Sequence, residues 1–172
     1  EYSYNYQNWY PSVEYETKNT RKNVGLFDLT PFAKFELKGE LSHSELQRIC
    51  TANIKNEKGK TTYTQMLNND GGIESDLTVV CIDNKHFRIV SSAAVRTRDK
   101  HHILKHLKSK VEFNDVTEDY ACLGVFGPKS RKLLTEIAGD LFETKDFPFS
   151  TGKNINIDNT NVWAQRLSYV GE

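Results

Sequence analysis

Two carboxylates, Glu74 and Asp76, sit two positions apart in the run YTQMLNNDGGIESDLTVV, from Tyr63 to Val80. Side chains alternate along a strand, so Ile73, Ser75, Leu77, Val79 and Cys81 are expected on one face and Glu74, Asp76, Thr78, Val80 and Ile82 on the other. The two acids then lie roughly 7 Å apart along the backbone. Paired carboxylates can share acid and base work on a glycosidic bond, but no other residue pattern suggests a sugar site. Acids on a solvated face near a turn also discourage edge pairing. Asp76, however, heads a strand whose opposite face reads as core, and its own face becomes apolar at Val80. A carboxylate there is either partnered or functional.

Other candidates carry less. Lys58-Gly59-Lys60-Thr61 ends like a phosphate-binding loop, yet Ile54 stands where that motif needs its first Gly. It also leads into a strand and not into a helix N-terminus that would hold phosphate. There is no G-x-G-x-x-G run, so no dinucleotide fold is expected. His102 and His106 have the spacing of a metal-holding helix face but no clear third ligand, and we read them as a solvated face with no metal. Cys122, in an apolar run, reads as a core thiol and not a nucleophile.

The elements that must position Asp76 follow from pattern. Thr61–Leu67 and Ile73–Asp83 form a hairpin around the Asn-Asn-Asp-Gly-Gly bend, and His86–Ser91 follows as a third strand. Phe32–Lys38 alternates, with Ala33, Phe35 and Leu37 on one side and Lys34, Glu36 and Lys38 on the other. Helices are expected over Ser12–Asn23, stopped by Gly25, and after Ser42, whose Ser-x-x-Glu pattern to Glu45 has capping-box form. A third helix covers Thr97–Lys108 with Ile103, Leu104 and Leu107 on one face, and a fourth begins at Pro128 and ends at Gly139. Val111–Val116, Tyr120–Phe126 and Asn161–Tyr169 read as strands. Strands joined by tight turns, with interspersed helices, predict an α+β fold of mainly antiparallel sheets.

At 172 residues, 37% hydrophobic and 27% charged, the chain amounts to one globular domain, or one domain and a fragment of a second. Basic and acidic residues both number 23, which removes the main electrostatic argument for nucleic acid or an anionic membrane. No apolar run nears the roughly 20 residues of a membrane span, and EYSYNYQNWYP is no signal peptide. Three scattered cysteines read as free buried thiols of a reducing compartment. The frequent Asn, Lys and Ile favour a bacterial cytoplasm over a mitochondrial matrix, the compartment expected if the source is eukaryotic.

The acid-bearing hairpin also carries a resemblance. YTQMLNNDGGIESDLTVV is similar to the hairpin of the aminomethyltransferase family, the T-protein of glycine cleavage and its relatives. VGLFDLTPFAKFELKG (24–39) resembles that family's opening strand, LGVFGPKSRKLL (123–134) its strand–Gly-Pro–helix element, and RLSYVGE (166–172) the start of its R-x-x-Y-x-G-E motif. QNWYP, FAKFE and FPFSTGKNINI look more like the folate domain of dimethylglycine and sarcosine dehydrogenases, in which a flavin domain comes first. On that likeness residues 1–23 are a linker and helix at the junction with an FAD domain of the same polypeptide. Residues 24–172 are then the first part of a truncated aminomethyltransferase-type folate-binding domain.

The resemblance implies tetrahydrofolate as ligand and an iminium from a demethylated N-methyl amine as donor, giving 5,10-methylenetetrahydrofolate. It implies that Asp76 stands beside the folate nitrogens that accept the one-carbon unit, facing a ligand cavity; Glu74 has no assigned role and is read as solvated. It places Tyr63 near the folate, Tyr169 in the YxGE motif, and Glu172 as the pterin-reading glutamate, whose two oxygens suit a parallel pair of N–H donors. Ser92 stands where T-proteins tend to have Asn, and Ser75 where many have a second Asp. A stand-alone aminomethyltransferase fed by a lipoyl carrier, or a folate-binding module without catalysis, is the alternative.

One expectation is testable at once. If the rest of the pocket wall lies downstream of Glu172, this chain alone binds tetrahydrofolate more weakly than the full-length protein. Calorimetric titration of both checks it, and equal affinity contradicts the role given to Glu172.

Overall fold

The computed structural model describes residues 2–168. In chain order the elements are α1 (Tyr10–Lys22), β1 (Gly25–Asp28), β2 (Ala33–Lys38), α2 (Ser42–Ile49), β3 (Thr61–Leu67), β4 (Ile73–Asp83) and β5 (His86–Ser91). They continue with α3 (Arg96–His106), β6 (Glu112–Asp115), β7 (Leu123–Phe126), α4 (Ser130–Ala138), β8 (Thr151–Ile157) and β9 (Thr160–Arg166). Every ladder among them is antiparallel. The expected α+β architecture is therefore the observed one.

The centre is a five-stranded sheet in the order β3-β4-β5-β2-β6. One face carries Ala33, Phe35 and Leu37 of β2, Leu77, Val79 and Cys81 of β4, and Phe87 and Ile89 of β5. These pack with Leu46 of α2 and Ile103 of α3 into the main core. β3 is an edge, and the segment after α2 covers part of it: Thr51 N–H donates to the Gln65 carbonyl at 3.0 Å, and Ala52 N–H to Thr64 Oγ1 at 3.0 Å. A covered edge is a protected one.

The opposite face of β2 is buried too, and it is charged. Lys34 and Glu36 are as buried as the apolar residues between them. Lys34 Nζ donates to the carbonyls of Thr30 and Phe32, both at 2.9 Å. The Glu36 carboxylate receives Lys38 at 2.8 Å and Arg88 at 2.7 Å, and His86 Nε2 lies 3.0 Å from it. The Tyr120 ring stacks 4.3 Å from the Arg88 guanidinium. Burial pushes the Glu36 pKa up, but the bonds from Lys38 and Arg88 and the His86 charge more than reverse it and hold it at about 2.

A second, smaller core joins α4 to the β8–β9 ribbon through Phe142, Phe147 and Ile155, with Leu134, Ala138 and Val162 around them. Gly59 connects ribbon and sheet: its N–H donates to Cys81 O at 2.7 Å, and its carbonyl accepts from Gly152 N–H at 2.7 Å. It has φ +81°, and a Cβ there would meet Gly152 O at 2.5 Å, so only glycine fits. The Gly in Lys58-Gly59-Lys60-Thr61 thus serves a backbone crossing.

Several expectations are corrected. Gly25 does not cap α1 but opens β1, and the helix ends at Lys22 with Asn23 as its C-cap. Ser42 and Glu45 do not form a capping box. The carboxylate of the buried Glu45 instead takes the N–H groups of Lys108 (3.0 Å) and Ser109 (3.1 Å) beyond the end of α3. Burial raises its pKa, and those donors with Arg48 bring it to about 2. Leu104 points outward. Strand β8 went unseen because Thr-Gly-Lys-Asn-Ile-Asn-Ile has little apolar content. Cys50 and Cys81 are buried, with thiol pKa values pushed up by burial to about 12 and about 11. Cys122 is half-buried and just outside β7, its thiol also raised by burial.

Glu36 and Glu45 titrate near 2 when folded and near 4.5 when unfolded. The unfolded chain therefore binds more protons across that window, and the stability they contribute is full above it and lost as pH falls through it. Denaturant unfolding between about pH 5 and pH 3 is expected to show falling stability. Glu36→Gln should be less stable at neutral pH but show a shallower slope, and an unchanged slope contradicts the assignment.

Candidate functional site

Asp76 lies on the charged-face side of β4, one residue from the core-facing Ser75 and Leu77. On β3, Tyr63 pairs with Thr78 and Gln65 pairs with Asp76, so Tyr63 and Asp76 are diagonal neighbours on one face. The Tyr63 hydroxyl donates to Asp76 Oδ2 at 2.6 Å. That bond raises the phenol pKa, because losing the proton would leave two negative charges in contact. Asp76 Oδ1 has no hydrogen-bond partner among the described residues. Both side chains are exposed, Tyr63 to 62%, so the described residues form no closed cavity around them.

Ser92 is brought to the same end of the sheet. β5 pairs Val90 with Thr78 and Ser91 with Leu77, so the residue that follows, Ser92, continues toward Asp76 before the chain turns into Ala93–Val95. Ser92 is exposed. Tyr169 and Glu172 lie outside the described residues.

The two acids are not equivalent, because β4 is bulged at the first of them. Met66 pairs with Ser75 but Leu67 pairs with Ile73, which leaves Glu74 as an extra residue. The bulge inverts the alternation below it. Ile73, expected on the core face, stands opposite Leu67 and is 69% exposed. The Glu74 carbonyl accepts a bond from Arg98 Nη2 on α3. Asp99, next to it, is fully buried and accepts the Ser75 hydroxyl at 2.7 Å. Sequence reading missed Asp99 because it sits in the basic run Arg-Thr-Arg-Asp-Lys-His-His, although its place four residues before Ile103 puts it on the inward face of the helix.

His102 and His106 pack against one another with ring centroids 4.3 Å apart and planes tilted by 43°, and no metal-ligand cluster exists among the described residues. A shallow hollow of about 300 Å3 lies away from Asp76, lined by Lys55, Glu57, Lys60, Thr61, Phe149 and Ser150. No helix among the described residues is long and apolar enough to cross a membrane.

The comparisons with known proteins agree with this architecture. The family model described as the GCVT N-terminal domain matches residues 1–172, and the chain belongs to that family. Among curated relatives, it is 34% identical to 4-methylaminobutanoate oxidase (formaldehyde-forming) of Paenarthrobacter nicotinovorans, covering 100% of this chain and 21% of the relative. It is 31% identical to mitochondrial dimethylglycine dehydrogenase of Rattus norvegicus, covering 99% of this chain and 20% of the relative. The chain thus spans about a fifth of the length of both. Among solved structures, it superposes on the glycine cleavage system aminomethyltransferase T of Bartonella henselae with a TM-score of 0.79 at 22% identity, over 92% of this chain and 42% of that one. The fold is the aminomethyltransferase type.

The Tyr63–Asp76 bond makes a prediction of its own. Asp76→Asn removes the charge that holds the phenol proton, so the Tyr63 titration should fall toward that of an ordinary tyrosine. Carbon-13 NMR of ring-labelled tyrosine reads this directly, and an unmoved titration contradicts the contact.

Proposed function

We propose that this chain is a tetrahydrofolate-binding one-carbon transfer domain of a flavin-dependent demethylating dehydrogenase, and that Asp76 is its catalytic carboxylate. The observation that carries the reading is the exposed Tyr63–Asp76 pair. One carboxylate oxygen is fixed by a phenol and the other lacks a partner among the described residues, on a face that Ser92 also approaches. A folate nitrogen carrying N–H needs such an acceptor, and the exposed Tyr63 ring offers a flat surface beside it, so the residues present fit the ligand.

Bound tetrahydrofolate supplies the nitrogens that take up the one-carbon unit. Asp76 accepts a hydrogen bond from the attacking N–H, orients its lone pair, and stabilises the positive charge that grows on nitrogen as the new bond forms. Tyr63 holds the carboxylate in one rotamer, so little reorganisation is left for the reacting state. Charge on Asp76 opposes a positive centre, which suits a cationic iminium donor better than a neutral one. Tyr169 and Glu172 belong to this proposal as folate contacts on the family resemblance alone.

The name of one relative, an oxidase of an N-methylated amino acid that forms formaldehyde, supports the donor class. In this reading FAD resides in another domain of the same polypeptide, joined through residues 1–23, and selects the amine. Passing the unit directly to folate keeps a hydrolysable iminium out of water. The compartment follows the source, bacterial cytoplasm or mitochondrial matrix.

Asp76→Asn in the intact protein tests this. It should lower folate-dependent formation of the methylene product by roughly 10²-fold or more, a typical loss for one electrostatic contact to the reacting centre, with tetrahydrofolate affinity kept within a few-fold. Undiminished transfer contradicts the catalytic role, and equal loss of binding and transfer assigns Asp76 to binding alone.

A further inference from the structure

We propose that Asp99 and Arg98 of α3 are positioning residues for Asp76, clamping the two β4 residues that precede it and so setting the height of its carboxylate on the sheet. The inference rests on the reading of Asp76 as the folate-facing group. It is drawn from an arrangement on the other side of the sheet, which neither the fold nor the site explains by itself.

Glu74 is the extra residue of the bulge, and a bulge interrupts the ladder that would otherwise hold the strand. Two consecutive helix residues replace the missing constraint. Arg98 Nη2 donates to the Glu74 carbonyl, and the Ser75 hydroxyl donates to Asp99 Oδ2 at 2.7 Å. Arg98 Nε lies 3.6 Å from Asp99 Oδ1, which has no hydrogen bond among the described residues. Residues 74–75 and 98–99 therefore form a closed ring of contacts, fastened from the helix side to the strand segment that ends at Asp76.

A carboxylate in this place is costly. Ser75 and Asp99 are 3% and 1% exposed, in a mainly apolar layer that also holds the buried Thr64 and Ser91. An apolar pair of similar volume would be as stable or more so, since burying an anion is offset only by good partners. What the acid adds is direction. Ser75 is adjacent to Asp76 but points to the opposite face, so fixing the Ser75 side chain fixes the pleat from which Asp76 emerges. Displacing a reacting group by about 1 Å can cost about 10²-fold in rate, and the Tyr63–Asp76 bond at 2.6 Å leaves little room for such a shift.

The test uses the intact protein with Ser75→Ala, Ser75→Thr and Asp99→Asn. Three quantities are read: the Tyr63 titration, folate-dependent one-carbon transfer against tetrahydrofolate affinity, and Tm. Ser75→Ala is expected to bring the Tyr63 titration down toward its value in Asp76→Asn and to cut transfer by roughly 10-fold or more, with affinity within a few-fold. Ser75→Thr keeps the hydroxyl and should restore both. A purely structural role would lower Tm and leave the Tyr63 titration in place, and that result in Ser75→Ala overturns the proposal. Failure of Asp99→Asn to fold does not weaken the test: Ser75→Ala also deprives Asp99 of a hydrogen bond and lowers Tm, but the Tyr63 titration is read on the folded protein below that Tm. If Asp76→Asn itself leaves transfer unchanged, the catalytic reading fails, and the clamp is then judged on the Tyr63 titration alone.

Discussion

The pairing of β4 between β3 and β5 decides everything at the candidate site. Alternation means that one register sends Leu77, Val79 and Cys81 into the layer shared with α2 and α3, and sends Asp76, Thr78 and Val80 to the other face. A slip by one residue would bury Asp76 among apolar side chains and expose Leu77. Burial of each large apolar side chain contributes about 1.5–3 kcal/mol, so the core strongly resists that slip. The carboxylate is held where it is by the same residues that hold the domain together.

The sheet is buried on both sides with unlike chemistry. Its helix side is mainly apolar, whereas its other side, around β2, is a network in which Lys34 and Glu36 are buried only because each has its polar atoms occupied. Such a network suits the middle of the sheet, where Arg88 is roofed by Tyr120. Toward the β3 edge the cover ends and Tyr63 and Asp76 are exposed. One face thus passes from a buried ionic core to an open acceptor within two strands. The bulge at Glu74 lies just beyond Asp76 on β4, where Arg98 and Asp99 contact Glu74 and Ser75.

Much of this was legible in the sequence, and the reasons differ by element. β3, β4 and β5 begin and end where their apolar alternation and turn residues require, because local pattern and tertiary burial agree there. The face on which Asp76 stands followed from the same alternation, whereas Tyr63 was expected near it on the family resemblance alone. The bulge was not legible, since Glu74 carries no glycine or proline to announce it, and it sent Ile73 to the wrong face of the expected strand. Glu45 looked like a local cap, but its partners at 108 and 109 lie more than sixty residues away. No periodicity reveals a bond that distant. Asp99 could be placed on the inward face of α3 from its spacing to Ile103, but its partner Ser75, on another element, could not. β8 is polar in composition and forms a strand because β9 and Gly59 pair with it.

The central claim is that folate meets the chain at Asp76. A structure of the intact protein with tetrahydrofolate bound tests it most directly. The account predicts a folate nitrogen within about 2.6–3.2 Å of the Asp76 carboxylate, with the Tyr63 hydroxyl still bonded to its other oxygen and the Ser75–Asp99 bond unchanged. Folate seated elsewhere, for example in the hollow beside Lys55 and Phe149, with Asp76 left in solvent, would contradict it.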